Sequence, residues 1–421
     1  MSDEYLSPGV YVKEVPSAVK PIAGVSTSTA AFLGPLPADV KEVADPVLIT
    51  NWSQFTKIFG DFMPDPPPPA PTAGPVAPTQ PPATPTPAPS ASPAPTPKPA
   101  PSAAESALFR RYLAHAVYGF FNNGGSRCYV VRYQPAGHDA ALKALARIDG
   151  IAFVAAPGVV DQAVRTAIID HCANNPGRFA ILDGPATVDA LDRLTRVPAG
   201  ADGKGGEGLM PPRTDLAAWY FPWISVFDPA VKLAQVPPSG HIAGVYARVD
   251  SERGVHKAPA NEVIRGALDV AQPLSRAEQD GLNPKGVNCI RVLNDNVLVW
   301  GARTVGGNDN ADLKYINVRR TLLFLRKSIE AGTQWVVFEP NEPALWQKIT
   351  RNVDAFLTNV WRSGALFGTT PQEAFYVRCD AGTNPPEQRD MGQVVTEIGV
   401  AIVRPAEFVI FRISQYTAPA A

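Results

Sequence analysis

Three glycines, Gly203, Gly205 and Gly208 in GKGGEG, have the spacing of a dinucleotide fingerprint, in which backbone amides at a helix N-terminus cradle a pyrophosphate. That chemistry needs a strand leading in and a helix leading out. No strand precedes this run and MPPR follows it, so a flexible loop explains the match. No Gly-x4-Gly-Lys-Ser/Thr run occurs, and the pair Lys327 and Ser328 lies in an apolar helical stretch without preceding glycines. ATP hydrolysis therefore has no visible apparatus. The histidines at 115, 138, 171, 241 and 256 form no i, i+4 pair and have no acidic or thiol neighbours at ligand spacing, so they read as structural or surface residues. Asp183 ends an apolar strand where α/β sheets place their sites, yet a turn-forming role in DGP accounts for it better. No Gly-x-Ser-x-Gly elbow or acid/base pair of carboxylates stands out. We therefore expect no catalytic residue, no cofactor and no metal.

Composition narrows the class further. A net charge of -1 with 18% charged residues offers no basic surface for nucleic acid or membrane, and it leaves little charge repulsion against self-association. Cys128, Cys172, Cys289 and Cys379 are scattered without zinc or disulfide spacing, which reads as reduced cytosolic thiols. The acidic start, MSDEYLSPGVYV, has no apolar signal core, and no apolar run reaches bilayer length, so a cytoplasmic protein is expected.

The elements that would position any site follow from periodicity. Pro64 to Ala103 is a Pro-rich stretch without an aromatic residue; it cannot bury enough surface to offset the entropy of ordering, and is expected to be a disordered, extended insertion. Ahead of it, Gly9 to Val15 reads as one short strand between Pro8 and Pro16. After it, Leu108, Tyr112, Ala116 and Phe120 recur every four residues on a helix that Asn122 to Gly125 stops. Then come the strand RCYVVRY, a helix from His138 to Ile148, the strand IAFVAAP, the helix DQAVRTAIIDHCA, the strand RFAILDGP and a short helix VDALDRLTR. This alternation predicts an α/β layer with largely parallel strands, over 21–63 and 104–213. A loop from Val197 to Arg213 leads to a second, α+β domain over 214–404, with strands at CIRVLN and NVLVWGAR and helices at Ile316 to Ala331 and Pro343 to Arg362. On the last helix Leu345, Ile349, Val353, Phe356 and Val360 share an apolar face, and Lys348, Arg351, Asn352 and Asn359 lie away from it, with Gly364 placed to end it. Residues 1–20 and 405–421 remain as arms, the second holding the strand Phe408 to Ile413, apolar on both faces except at Arg412.

Five segments, YLSPGVYVKEV, PPSGHIAGVYARVDSERGVHKAPAN, VWGARTV, VFEPNEPALW and RPAEFVIFRI, together resemble the tail sheath proteins of contractile bacteriophages, tailocins and contractile injection systems. The resemblance runs in order along nearly all of the chain outside the Pro-rich stretch. It implies a non-enzymatic subunit that forms hexameric rings stacked helically around an inner tube, with baseplate and terminal cap proteins as further partners. It also implies that contraction needs no nucleotide and drives the tube through a target envelope. Particle assembly would take place in the cytoplasm, with release on lysis. By the same resemblance the 214–404 domain is the inner one and the α/β domain faces outward, and the two arms exchange strands with neighbouring subunits. The matching positions are Val10, Tyr11, Val12 and Val15 at one end and Phe408, Val409, Ile410, Phe411 and Ile413 at the other. A free apolar strand is an aggregation hazard unless its edges are paired, which agrees with exchange, although pairing inside the same subunit looks alike in sequence. Lys348 and Arg351 are the expected contacts to acidic residues of the tube. The insertion departs from the family pattern. A cytosolic α/β enzyme with a Pro-rich linker and a non-contractile scaffold remain the alternatives.

Overall fold

The computed structural model describes residues 21–35, 45–62, 103–133, 137–198 and 207–410, with side chains of the second helix described from Arg111 onward. The Pro-rich stretch up to residue 102 and the strand expected at Gly9 to Val15 lie outside these residues. Ala103, expected to close the insertion, is instead the first residue of a helix.

Two compact units divide the chain. The larger takes in residues 28–248 and 259–311. It opens with β1 (Ala30–Pro35), β2 (Val47–Ile49), α1 (Trp52–Phe59), α2 (Ala103–Asn122), β3 (Cys128–Tyr133) and α3 (His138–Ala146). Next come β4 (Phe153–Ala155), α4 (Gln162–Asn174), β5 (Phe179–Asp183), β6 (Ala217–Phe221), β7 (Ile224–Asp228) and β8 (Lys232–Val236). The unit closes with α5 (Ser239–Arg253, its own as far as Arg248), β9 (Glu262–Val263), β10 (Ala267–Val270), α6 (Arg276–Leu282), β11 (Val287–Leu293) and β12 (Asn296–Val299). Nine strands form one sheet in the order β2-β3-β1-β4-β5-β6-β11-β12-β9, and the run from β3 to β11 is parallel throughout. Period-two alternation divides its side chains between two faces. Ala31, Leu33, Val131 and Leu182 pack with Leu142, Leu145 and Ile168 of α3 and α4. On the other face, Phe32 meets Phe120 of α2 edge to face at 5.5 Å, and Phe153 meets Tyr246 of α5 at 5.4 Å. A separate antiparallel sheet holds β10, β7 and β8, in that order.

The expected domain boundary at 213/214 falls between β5 and β6, which are hydrogen-bonded neighbours from Ala180 and Ala217 to Asp183 and Tyr220. The sheet therefore runs across it, and the units part at 311/312 instead. The Pro- and Gly-rich loop ahead of residue 214 looks like a linker but only joins adjacent strands, as loops in α/β layers do.

The second unit contains the described residues of 1–27, then 249–258 and 312–421. Its elements are α7 (Ile316–Gly332), α8 (Pro343–Arg362), α9 (Pro371–Ala374), β13 (Phe375–Arg378), α10 (Pro386–Asp390) and β14 (Glu397–Val400). α8 has the predicted bounds, with Pro343 at its first turn. Its apolar face packs Leu345, Ile349, Val353, Phe356 and Val360 with Leu325 of α7 and with Leu366 and Phe375. Asn352, expected on the polar face, is buried at 7% exposure. It sits one residue from Val353 and three from Ile349, so the buried stripe is wide enough to include it. Arg320 of α7 and Asp250 form a buried bidentate pair at 2.9 and 2.5 Å. Among the described residues no helix is long and apolar enough to cross a membrane.

Candidate assembly surface

β13 and β14 pair antiparallel from Phe375 and Val400 to Arg378 and Glu397, and among the described residues no third strand joins them. A two-stranded ribbon is at best marginally stable alone. This one gains support beneath from Phe375 and Val377, which pack on the α8 core together with Ile398 and Val400. Its other face carries Tyr376, exposed at 59%. The ribbon is thus a half-supported sheet with backbone edges that further strands are able to extend.

The chain that leaves β14 is stitched back to the same unit for several residues. Ala401 donates its amide to the Ala374 carbonyl at 2.8 Å and accepts the Phe367 amide at 2.7 Å, and Val403 donates to Ala365 at 3.2 Å. The Tyr315 hydroxyl then donates to Glu407 at 3.0 Å. At Phe408 the character changes: Phe408, Val409 and Ile410 belong to no strand and are 72%, 68% and 79% exposed. Three consecutive large apolar residues thus stand in solvent. Phe411 and Ile413, and Val10, Tyr11, Val12 and Val15 of the other arm, lie outside the described residues. Lys348 and Arg351 are exposed on α8, and the Arg351 Nε donates to the Gln347 carbonyl at 3.3 Å.

Two buried carboxylates of the larger unit, Asp183 and Asp228, tie its elements together. Asp183 is not a turn residue: its Oδ1 accepts the Ser239 amide at 2.8 Å, and its Oδ2 accepts the Ser239 hydroxyl at 2.6 Å and the Gly158 amide at 3.1 Å. It fastens the start of α5 to the end of β5, satisfying a helix N-terminus that would otherwise be orphaned. Burial pushes its pKa up to about 6 against the pull of these bonds and of Arg165. No histidine bonds Ser239, so the pair has no route to a nucleophile. A second knot joins Asp228 at the end of β7 to Arg111 at 2.5 Å and to His115 at 2.8 Å. Burial opposes ionisation of Asp228, but the bonds from Arg111, His115 and the amides of Ala230 and Val231 outweigh it and hold the carboxyl well below the usual range. His241 of α5 lies fully buried against Gly119, its Nδ1 without a hydrogen-bond partner, and burial followed by the nearby His115 lowers its pKa to about 3. Among the described residues no group of three or more His, Cys, Asp or Glu is arranged to hold a metal.

Sequence reasoning did not place α5, although Ile242, Val245, Tyr246 and Val249 recur at helical spacing. Gly240 and Gly244 mask that signal because glycine is a poor helix former.

Comparison with known proteins accounts for this arrangement. The profile of the phage tail sheath protein central domain matches residues 133–305, and that of the phage tail sheath C-terminal domain matches 308–415. The two meet close to where the compact units part. A prophage major tail sheath protein of Pseudomonas aeruginosa (strain UCBPP-PA14) is 28% identical over 266 residues, covering 61% of this chain and 63% of that one. The tail sheath protein of Burkholderia phage BcepMu is 24% identical over 263 residues, covering 60% and 52%. The matched region thus spans less than two thirds of either relative. Among solved structures, the sheath complex of the extracellular contractile injection system PVC, in its contracted state, superposes with a TM-score of 0.73 at 25% identity over 99% of both chains. The helical sheath of the anti-feeding prophage, also contracted, gives 0.69 at 28% identity over 98% of this chain and 100% of that one.

Proposed function

From the premise that this chain belongs to the phage tail sheath family, we propose that it is the structural subunit of a contractile sheath. Subunits assemble as stacked hexameric rings around an inner tube, with a baseplate and a terminal cap at the ends. Contraction is a passage between two lattices in which rigid subunits change neighbours, so the work comes from differential contacts and no nucleotide is consumed. Likeness over essentially the whole chain to sheaths in the contracted state supports this reading. The particle forms in the cytoplasm and leaves the cell on lysis.

The observation that carries the mechanism is double: a sheet of only two described strands, β13 and β14, and the exposure of Phe408, Val409 and Ile410 in the same unit. Strand exchange resolves both at once: the arm of one subunit, 408–413, and the arm around Val10 to Val15 of another extend the ribbon of a third, pairing open edges and burying apolar residues. Each bond is weak alone, and a mesh of them persists while the subunits move. The C-terminal domain, with Lys348 and Arg351 exposed on α8, meets the inner tube, and the α/β domain with its Pro-rich insertion faces outward as a spacer or an attachment point. Co-expression with the tube protein followed by negative-stain microscopy tests the proposal. Striated cylinders are expected; a monodisperse compact oligomer and no cylinder overturns it.

A further inference from the structure

The sheet of β10, β7 and β8 has an outer face that the described residues leave open around Phe227. Phe227, Leu233 and Leu268 are 64%, 57% and 62% exposed, and Val231 at the hairpin turn is 51% exposed. Phe227 and Leu233 are direct cross-strand partners, and Leu268 stands at the bulge where β10 shifts register against β7. The opposite face is buried through Ile224, Val226, Val236 and Val270, so the sheet is apolar on both sides although only one packs on the core.

This exposure is held in place. The Asp228 carboxylate that binds Arg111 and His115 also accepts the amides of Ala230 at 2.8 Å and Val231 at 3.1 Å, so one buried group fixes both the strand end and its turn. Lys232 completes the turn with a left-handed φ of 66°. A flexible loop would fold such side chains inward; a pinned hairpin cannot.

We propose that this face is a contact between copies of the chain within the sheath lattice, distinct from the strand-exchange surface of the other unit. The inference rests on the sheath reading above. Area favours a second copy as the occupant. The four side chains present on the order of 400 Å² of apolar surface, the size of a monomer's largest patch, which is often functional. A stable pairwise interface takes about 800 Å² from each partner, so the face is too small to hold a dimer in solution. It suffices when rings repeat the contact many times. Among the described residues β8 is also the outer edge of its sheet, with the exposed Lys232 and Gln235 forming a polar rim.

Leu268→Cys in the full chain tests this directly, because all four native cysteines are buried and the new thiol reports alone. A maleimide dye should label it rapidly in the monomer and at least ten-fold more slowly in assembled cylinders. Gln235→Cys, at the rim, gives the same readout where Leu268→Cys blocks assembly. Equal labelling in monomer and cylinder overturns the inference and leaves the sheath reading intact. Protection already present in the monomer also overturns it, since the cover then comes from the chain itself. Absence of cylinders from the wild-type chain removes the sheath reading, and this inference with it. The pair Phe227→Ser and Leu233→Ser should keep the monomer's melting temperature and lower cylinder yield at least ten-fold; an undiminished yield again overturns it.

Discussion

Gly240 has no room for a methyl group: a Cβ there would stand 2.3 Å from the Ala116 Cα, and one on Gly119 would stand 2.4 Å from the His241 ring. α2 and α5 thus approach closely through small residues, and Gly240→Ala should destabilise the larger unit by about 1–3 kcal/mol in urea denaturation, the usual cost of overpacking. The same packing leaves His241 dry. With a folded pKa of about 3 against about 6.5 when unfolded, the unfolded chain takes up the extra proton as pH falls. This contribution is complete above pH 6.5 and is lost by at most about 1.4 kcal/mol per pH unit below it. His115, also lowered by burial, adds in the same direction. Asp183, raised to about 6, works against both between about pH 4 and 6, where the folded chain holds the proton. His241→Phe keeps a flat ring and removes the titration, so stability measured from pH 6.5 to 4 should fall less steeply by about one proton's worth. Asp183→Asn replaces an acceptor that two amides and a hydroxyl converge on by a group carrying its own donors, and should cost about 3–5 kcal/mol at pH 7. The sequence singled out Asp183 by its place at a strand end, but its partner Ser239 lies 56 positions away, a pairing that only the fold creates.

At the scale of elements, the proposed strand exchange makes the arm beyond Glu407 the part on which assembly turns. Burying Phe408, Val409 and Ile410 yields about 1.5–3 kcal/mol each, and ordering their backbone costs about 1–2 kcal/mol per residue. The balance is small, so the segment orders only where a neighbour offers an edge. Truncation after Glu407 should therefore leave the melting temperature of the monomer within a degree or two and abolish cylinders in sedimentation. Hydrogen exchange gives the complementary readout: amides of Phe408 to Ile410 should exchange quickly in the monomer and become protected on assembly. α8 was legible to the residue because Pro343 opens it and its apolar residues repeat without interruption. α5 was not, since the glycines that let it approach α2 are the residues that weaken a helical pattern. Asn352 was misplaced for a related reason: helical spacing gives the direction of a side chain, whereas the width of the buried stripe depends on what packs against it.

At the scale of the whole molecule, the proposed sheath would draw its work from differential contacts between subunits. Cylinders triggered by acid or denaturant should contract in nucleotide-free buffer, as judged by their length and width in negative stain; a strict ATP requirement would contradict the mechanism. Deleting 64–102 should leave both the monomer's melting temperature and cylinder formation unchanged, because beyond Val76 that composition has no large apolar side chain to contribute to a core.

Periodicity and composition were enough to specify the alternating strands and helices from β3 to β5, the helix α8 and the kinship carried by five ordered segments. These are local properties, set by spacing along the chain and by the chemistry of neighbouring residues. The boundary at 311/312 was decided only in three dimensions, because β6 and β11 join the sheet begun by β1 and β3 across intervening segments that sequence cannot rank by adjacency. So were the knot of Arg111, His115 and Asp228 and the exposed face of Phe227, Leu233 and Leu268. An apolar strand residue looks the same in sequence whether it points into a core or out of it, and the packing of the other elements settles which face is left open.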